Sequence, residues 1–378
     1  MKILHLADLH IGKKVNDFCM LSEQEYVLNQ ACELIENEQI EAVLICGDVF
    51  DKPIPTISAL ELFDSFLSRL TKLKTKVFII SGNHDNMDRI SYLGGLLNQS
   101  GVYVSKSYTG NISKIFLNEN IDIYLMPYLY PALVKKYHPD KEINNYNDAI
   151  KAVVDNINID KNKFNIILAH QFVLGGDSEL VLSESEQKSV GGIDEISYKI
   201  FDKFDYSALG HLHCPQKCKN NRVYYAGSIL KYSFSEINQK KKFCILEIDN
   251  NKKLNQKFVP INFLHEYREY RGYIDEFLNK EFYEKVNVND YIHFTLLDES
   301  VIDAKKKLSL IYPNIMLLEF DNSYTRNLSS SAIKNIEASK TIYEHFCDFY
   351  KSQLSVEIDS EKKEIVKKIL NEELECDQ

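Results

Sequence analysis

The sequence predicts a layered α/β core, two β-sheets face to face with covering helices, followed by a small α+β unit and terminal helices. Three observations carry this. Residues 1–100 alternate strand and helix three times, the pattern of a sheet with helices laid on it. Between residues 223 and 260 short apolar runs follow one another with no helix between them, so the second half of the core is β-rich. Around residues 266–272 the pattern changes again, to a compact run of short helices and strands.

Taken in order, residues 21–37 and 57–73 space apolar residues at helical period, the second through Ile57, Leu60, Phe63, Leu67 and Leu70. Pro53 and Pro55 keep that helix from starting earlier, and Thr56 or Ser58 can cap it. Residues 102–104, 115–117 and 121–125 read as strands, with 118–120 as a hairpin turn, and 148–156 as a helix. Residues 175–192, glycine-bounded and rich in Ser and Glu, read as a loop near the site. Strands follow at 223–226, 243–248 and 257–260. The small unit reads as helix 274–279, strand 291–297, helix 301–311 and strand 315–320. Residues 322–331 are polar and serine-rich. A capping-box pattern, Thr341-Ile342-Tyr343-Glu344, then opens an amphipathic helix, and Ser360 can cap a last one. The expected boundaries are a core over 1–264, the small unit over 265–321, a linker over 322–338 and a helical arm over 339–378.

The 378 residues, 44 % hydrophobic and 11 % aromatic, are enough for one large domain plus a smaller one. With 45 Lys+Arg against 55 Asp+Glu, the formal charge of -10 argues against a free-standing nucleic-acid binder of the basic-patch kind. It leaves room for an enzyme whose bound cations supply the positive charge. The 8 cysteines are scattered, and a zinc site at the closest pair, Cys214 and Cys218, would need two more ligands nearby, so reduced thiols and a cytoplasmic location are expected. No apolar run reaches membrane-spanning length, and Asp8 and His10 interrupt the amino terminus too early for a secretory signal.

The chemistry lies where the apolar runs end. Five of them deliver hard oxygen or imidazole ligands: Asp8-Leu9-His10, Gly47-Asp48, Gly82-Asn83-His84-Asp85, His170, and His211-Leu212-His213. In an open α/β sheet, ligands bind outside the carboxyl ends of the strands. Singly each motif has an ordinary explanation: an Asp after a strand caps a turn, and a His after an apolar run can be a satisfied core residue. Together they describe a metal site with too many ligands for one ion. Two divalent ions roughly 3.5–4 Å apart can clamp the attacking and leaving oxygens of a phosphoryl displacement. Asp48, central among the five ends, is assigned the bridge. Asp8, His10 and His213 complete one ion, and Asn83, His170 and His211 the other. Mixed Asp, Asn and His ligation suits manganese or iron and is nitrogen-rich for a pair of magnesium ions, so manganese is expected.

Asp8-x-His10, Gly47-Asp48-x-x-Asp51, Gly82-Asn83-His84-Asp85, His170 and Gly210-His211-x-His213 resemble the full signature of the calcineurin-like metallophosphoesterases. Longer strings narrow the resemblance to the SbcD-type nuclease subunits of double-strand-break repair. They include Leu4-His-Leu-Ala-Asp-Leu-His10, Leu44-Ile-Cys-Gly-Asp-Val-Phe-Asp51, Ser189-Val-Gly-Gly192 and Asp205-Tyr-Ser-Ala-Leu-Gly-His-Leu-His213. Asn86-Met87 and Ala226 depart from the common family residues at non-ligand positions.

The resemblance implies an α-β-β-α sandwich with a capping domain at 265–321 and a partner-binding arm at 339–378. It implies a two-metal nuclease cutting double-strand ends, single strands and hairpins with an SbcC-type coiled-coil ATPase that grips the C-terminal helices. No Walker-type Gly-x4-Gly-Lys-Ser/Thr occurs in the chain, so ATP hydrolysis falls to that partner. It implies that His84 stabilises or protonates the leaving oxygen, with Asp51 hydrogen-bonded to His84 as its orienting group. It further implies a homodimer through helices near Leu60, Phe63, Leu67, Leu93 and Leu97. The competing reading is a metallophosphoesterase for small phosphoesters or phosphoproteins, which would not need the added module and arm.

Overall fold

A computed structural model describes residues 1–92, 94–175, 180–186, 194–218 and 221–322, with isolated positions beyond. Leu93, the Ser189 to Gly192 string, and nearly all of the expected linker and arm lie outside the described residues. Two six-stranded sheets form the core. The first runs in the order Leu254–Pro260, Lys242–Ile248, Lys2–Leu6, Ala42–Cys46, Lys76–Ile80, Val102–Val104. The second runs Gln216–Lys217, Val223–Tyr225, Tyr206–Gly210, Phe164–His170, Ile121–Leu125, Ser113–Asn118. Their facing sides are apolar and fully buried: Ile3, Leu44 and Phe78 of the first sheet pack with Ile123, Ile166, Leu168 and Ala208 of the second.

Helices cover the outer faces. Leu21–Glu38 and Ile57–Lys72 bury Val27, Ala31, Ile35, Phe66 and Leu70 against Val43, Ile45 and Val77. Thr56 caps the second of these by accepting from the Ala59 N–H at 3.3 Å. Tyr146–Asp155 buries Ala149, Ile150 and Val153 against Ile167 and Leu209 of the other sheet. The layering is α-β-β-α, as the family resemblance implied. The strands Lys242–Ile248 and Leu254–Pro260 join the first sheet, the former antiparallel to Lys2–Leu6 with Leu4 opposite Ile245, the latter antiparallel to the former at the sheet edge. Apolar residues within 243–248 and 257–260 announce these strands but do not say which sheet accepts them.

The register sets the site. Leu6 lies beside Ile45 and Ile45 beside Ile79, all in parallel strands, so the three chains leave the first sheet at one level. In the second sheet Gly210 pairs with His170 at the corresponding end.

Three parallel strands, Tyr267–Gly272, Tyr291–Leu296 and Ile315–Phe320, form the small unit around its own core of Phe277, Ile292, Phe294, Leu308 and Tyr312. The first strand is absent from the sequence reading because Arg268, Glu269 and Arg271 break its apolar pattern and stay exposed. Only Ala304–Leu308 of the expected 301–311 helix is α-helical. Buried Glu23 ties this unit to the core, with its Oε1 2.5 Å from His265 Nδ1 and accepting from the Tyr291 hydroxyl at 3.3 Å. Among the described residues no helix is long and apolar enough to cross a membrane.

Candidate metal centre

At the shared strand ends the backbone turns sharply. Asp8, His10, Asp48 and His211 all have positive φ, at 51°, 43°, 48° and 99°, a region that side-chain-bearing residues adopt at a cost and that clusters at functional sites. Gly47, at φ 84°, has no substitute: a Cβ there would sit 2.4 Å from His170 Nδ1. A Cβ on Gly82 would strike the Asp48 carboxylate at 2.1 Å. These two glycines let the second-motif turn, the third-motif loop and His170 approach within contact.

The structure brings all seven expected ligands together. Asp8, His10 and His213 offer ligand atoms within 4.8 Å of one another. His10 Nε2 and His213 Nε2 face each other at 3.1 Å. On the other side His170 Nε2 lies 2.9 Å and His211 Nδ1 3.2 Å from Asn83 Oδ1. Asp48 stands between the two groups, its Oδ2 at 3.3 Å from His170 Nε2 and 3.7 Å from His10 Nε2. His170 Nδ1 donates to the Cys46 carbonyl at 2.8 Å, which leaves Nε2 free to ligate.

Except for Asn83 and His211, these side chains are almost wholly buried, and their charges press on one another. Burial pushes the Asp8 carboxyl up to about 7, against the pull of His170 and His213. Burial also opposes charge on Asp48, but His170, His10 and His84 together hold it well below the usual carboxylate range. His170 would be lowered by burial, yet Asp48 and Asp8 lift it to about 9. Burial and then His170 push His211 down to about 3. His10 Nδ1 is buried without a hydrogen-bond partner. Two carboxylates, a carboxamide oxygen and four imidazoles converging in a buried pocket form the mixed oxygen and nitrogen donor set of a divalent transition-metal site.

His84 lies at the mouth, half-buried, its ring 4.9 Å from that of His10. Its N–H donates to Asp48 Oδ1 at 2.9 Å. The expected hydrogen bond between Asp51 and His84 exists, but it is the Asp51 backbone carbonyl that accepts, 3.0 Å from His84 Nδ1. The Asp51 carboxylate accepts from Lys13 Nζ at 2.8 Å instead.

Asp85 closes the third motif, and the sequence alone assigns it no role. Its carboxylate accepts from the N–H groups of Val49, Phe50 and Gly82 at 3.1, 3.0 and 2.9 Å, lashing the second motif to the third. Gln24, on the first helix, donates to the Leu9 and His10 carbonyls at 3.2 and 2.7 Å. Nothing in a helix pattern signals that a polar residue on its buried side serves a turn of the metal centre.

The calcineurin-like phosphoesterase family matches residues 1–215. The SbcD component of the nuclease SbcCD from Staphylococcus epidermidis is 34% identical over 382 residues, covering 99% of this chain and 100% of that protein. Among solved structures, a dimetal phosphatase from Danio rerio aligns with a TM-score of 0.38 at 11% identity, over 70% of this chain and 99% of that one. A protein of Thermus thermophilus aligns with a TM-score of 0.37 at 12% identity, over 68% and 98%. With the family match spanning more than half its length, on the residues that build the centre, the chain belongs to the calcineurin-like phosphoesterase family.

Proposed function

We propose that the chain is the nuclease subunit of a DNA-processing complex, hydrolysing phosphodiesters with two manganese ions. One observation carries the chemistry: six donor side chains from two sheets converge about Asp48, whose carboxylate lies within 3.7 Å of a histidine on either side. Held there, two divalent ions would lower the pKa of bound water and offset charge developing on the phosphate oxygens. Asp8, His10 and His213 would hold one ion, Asn83, His170 and His211 the other, with Asp48 shared. His84 reaches the open side, where its ring can stabilise or protonate the leaving oxygen. The Asp51 carbonyl fixes that ring's Nδ1, and Lys13 holds Asp51 in turn.

End-to-end likeness to the staphylococcal nuclease component supports DNA as substrate, an SbcC-type ATPase as partner, and exonuclease and hairpin-opening activity. Exposed apolar side chains at Ile54, Ile57, Leu60, Tyr92 and Leu96 support a homodimer through this face. The test is manganese-dependent cleavage of labelled hairpin DNA against hydrolysis of an aryl phosphate, with the Asp48→Asn chain as control. Cleavage of DNA that the variant loses supports the proposal. Turnover of the aryl phosphate alone would return the small-phosphoester reading.

A further inference from the structure

We infer that Glu236, with Lys241 as its buried counter-ion, is a positioning residue that fixes the tautomer of His213 for one of the two metal ions; this rests on the two-ion reading. His213 Nδ1 lies 2.8 Å from Ser185 Oγ and 3.3 Å from Glu236 Oε1. Ser185 Oγ also hydrogen-bonds Glu236 Oε1. An ionised carboxylate only accepts, so the Ser185 hydroxyl must give its hydrogen to Glu236. Its oxygen is then left to accept from His213, which therefore carries its proton on Nδ1. His213 Nε2 is thereby stripped of hydrogen and pointed at His10 Nε2, 3.1 Å away, where the first ion would lie.

Glu236 is held ionised and still. Its Oε2 takes a hydrogen bond from Lys241 Nζ at 2.6 Å, both side chains having no exposure. The same ammonium donates to the His213 carbonyl and to Ser228 Oγ, each at 2.8 Å. The pair thus grips His213 by its ring and by its backbone. Glu186 completes the hold, accepting the His213 N–H at 2.6 Å. A buried ion pair is seldom more stabilising than apolar residues of the same shape, so stability alone does not explain this one. Orientation of a metal-ligating imidazole by a carboxylate does.

The test titrates the metal-free full-length chain with manganese by calorimetry. Glu236→Asp keeps the charge beside Lys241 and draws the oxygen back from His213 by about one carbon–carbon bond. Glu236→Gln/Lys241→Met removes both charges at similar volume. Wild type is expected to bind two ions, and each variant to bind one of them about 10- to 100-fold more weakly, the other unchanged. Nitrogen-15 NMR of the metal-free wild type, with His213→Asn for assignment, is expected to show the Nδ1–H tautomer at His213. Unchanged affinity for both ions, equal weakening of both, or an Nε2–H tautomer overturns the inference. A wild type that binds fewer than two ions removes instead the reading beneath it.

Discussion

His5 sits between the sheets, three residues before Asp8, 1 % exposed, with its Nδ1 3.1 Å from the Tyr206 hydroxyl. Burial drives its pKa down from 6.5 to about 3, so the folded protein keeps the ring neutral where the unfolded chain protonates it. Between those values the unfolded state binds one more proton, and stability must fall as pH falls. The contribution is fully present above about pH 6.5 and decreases by about 1.4 kcal/mol per unit below it. From pH 7 to pH 5 that amounts to about 2 kcal/mol from this one side chain. Urea unfolding of wild type and His5→Gln, at pH 7, 6 and 5 with metal removed, isolates the term, because other titrations are shared. Wild type should lose about 2 kcal/mol more than the variant over this range. Parallel pH profiles would show that a charged imidazole is tolerated between the sheets, and that their packing is looser than described.

The remaining predictions concern the site and the small unit. His84→Ala should lower kcat by about 10²- to 10⁴-fold while leaving manganese stoichiometry intact, checked by cleavage kinetics beside a metal titration. Gly47→Ala forces a Cβ to 2.4 Å from His170 Nδ1 and should cost at least about 10-fold in manganese affinity, measured by the same titration. Phe294→Ala empties the centre of the small unit, where Phe277 and Tyr312 pack on its ring. It should cost about 3–5 kcal/mol, read as early loss of that unit's amide-exchange protection while the core strands stay protected.

What the sequence discloses follows from how each feature is encoded. The ligands are legible because each ends an apolar run: Ala42 to Ile45 declare a strand, and whatever follows Gly47 must emerge at its carboxyl end. The covering helices are legible from their 3.6-residue period, and Thr56 from its place before one of them. Glu236 is not, because it lies in a polar stretch with no periodicity, and only the fold sets it against His213. Asp51 shows a subtler limit. The family resemblance places the residue beside His84, but whether carboxylate or carbonyl makes the contact depends on backbone direction, and Lys13 claims the carboxylate. The strand Tyr267–Gly272 escapes because Arg268, Glu269 and Arg271 are all exposed and leave it no two-residue apolar period, so that only pairing with Tyr291–Leu296 reveals it.

The most direct test asks whether Asp48 is shared between two ions. Electron paramagnetic resonance of the metal-free chain reloaded with manganese reads both number and coupling. A shared carboxylate predicts two ions per chain with a spin-coupled signal, and Asp48→Asn abolishing both the coupling and DNA cleavage. A single ion, or two uncoupled ions indifferent to Asp48→Asn, would contradict it.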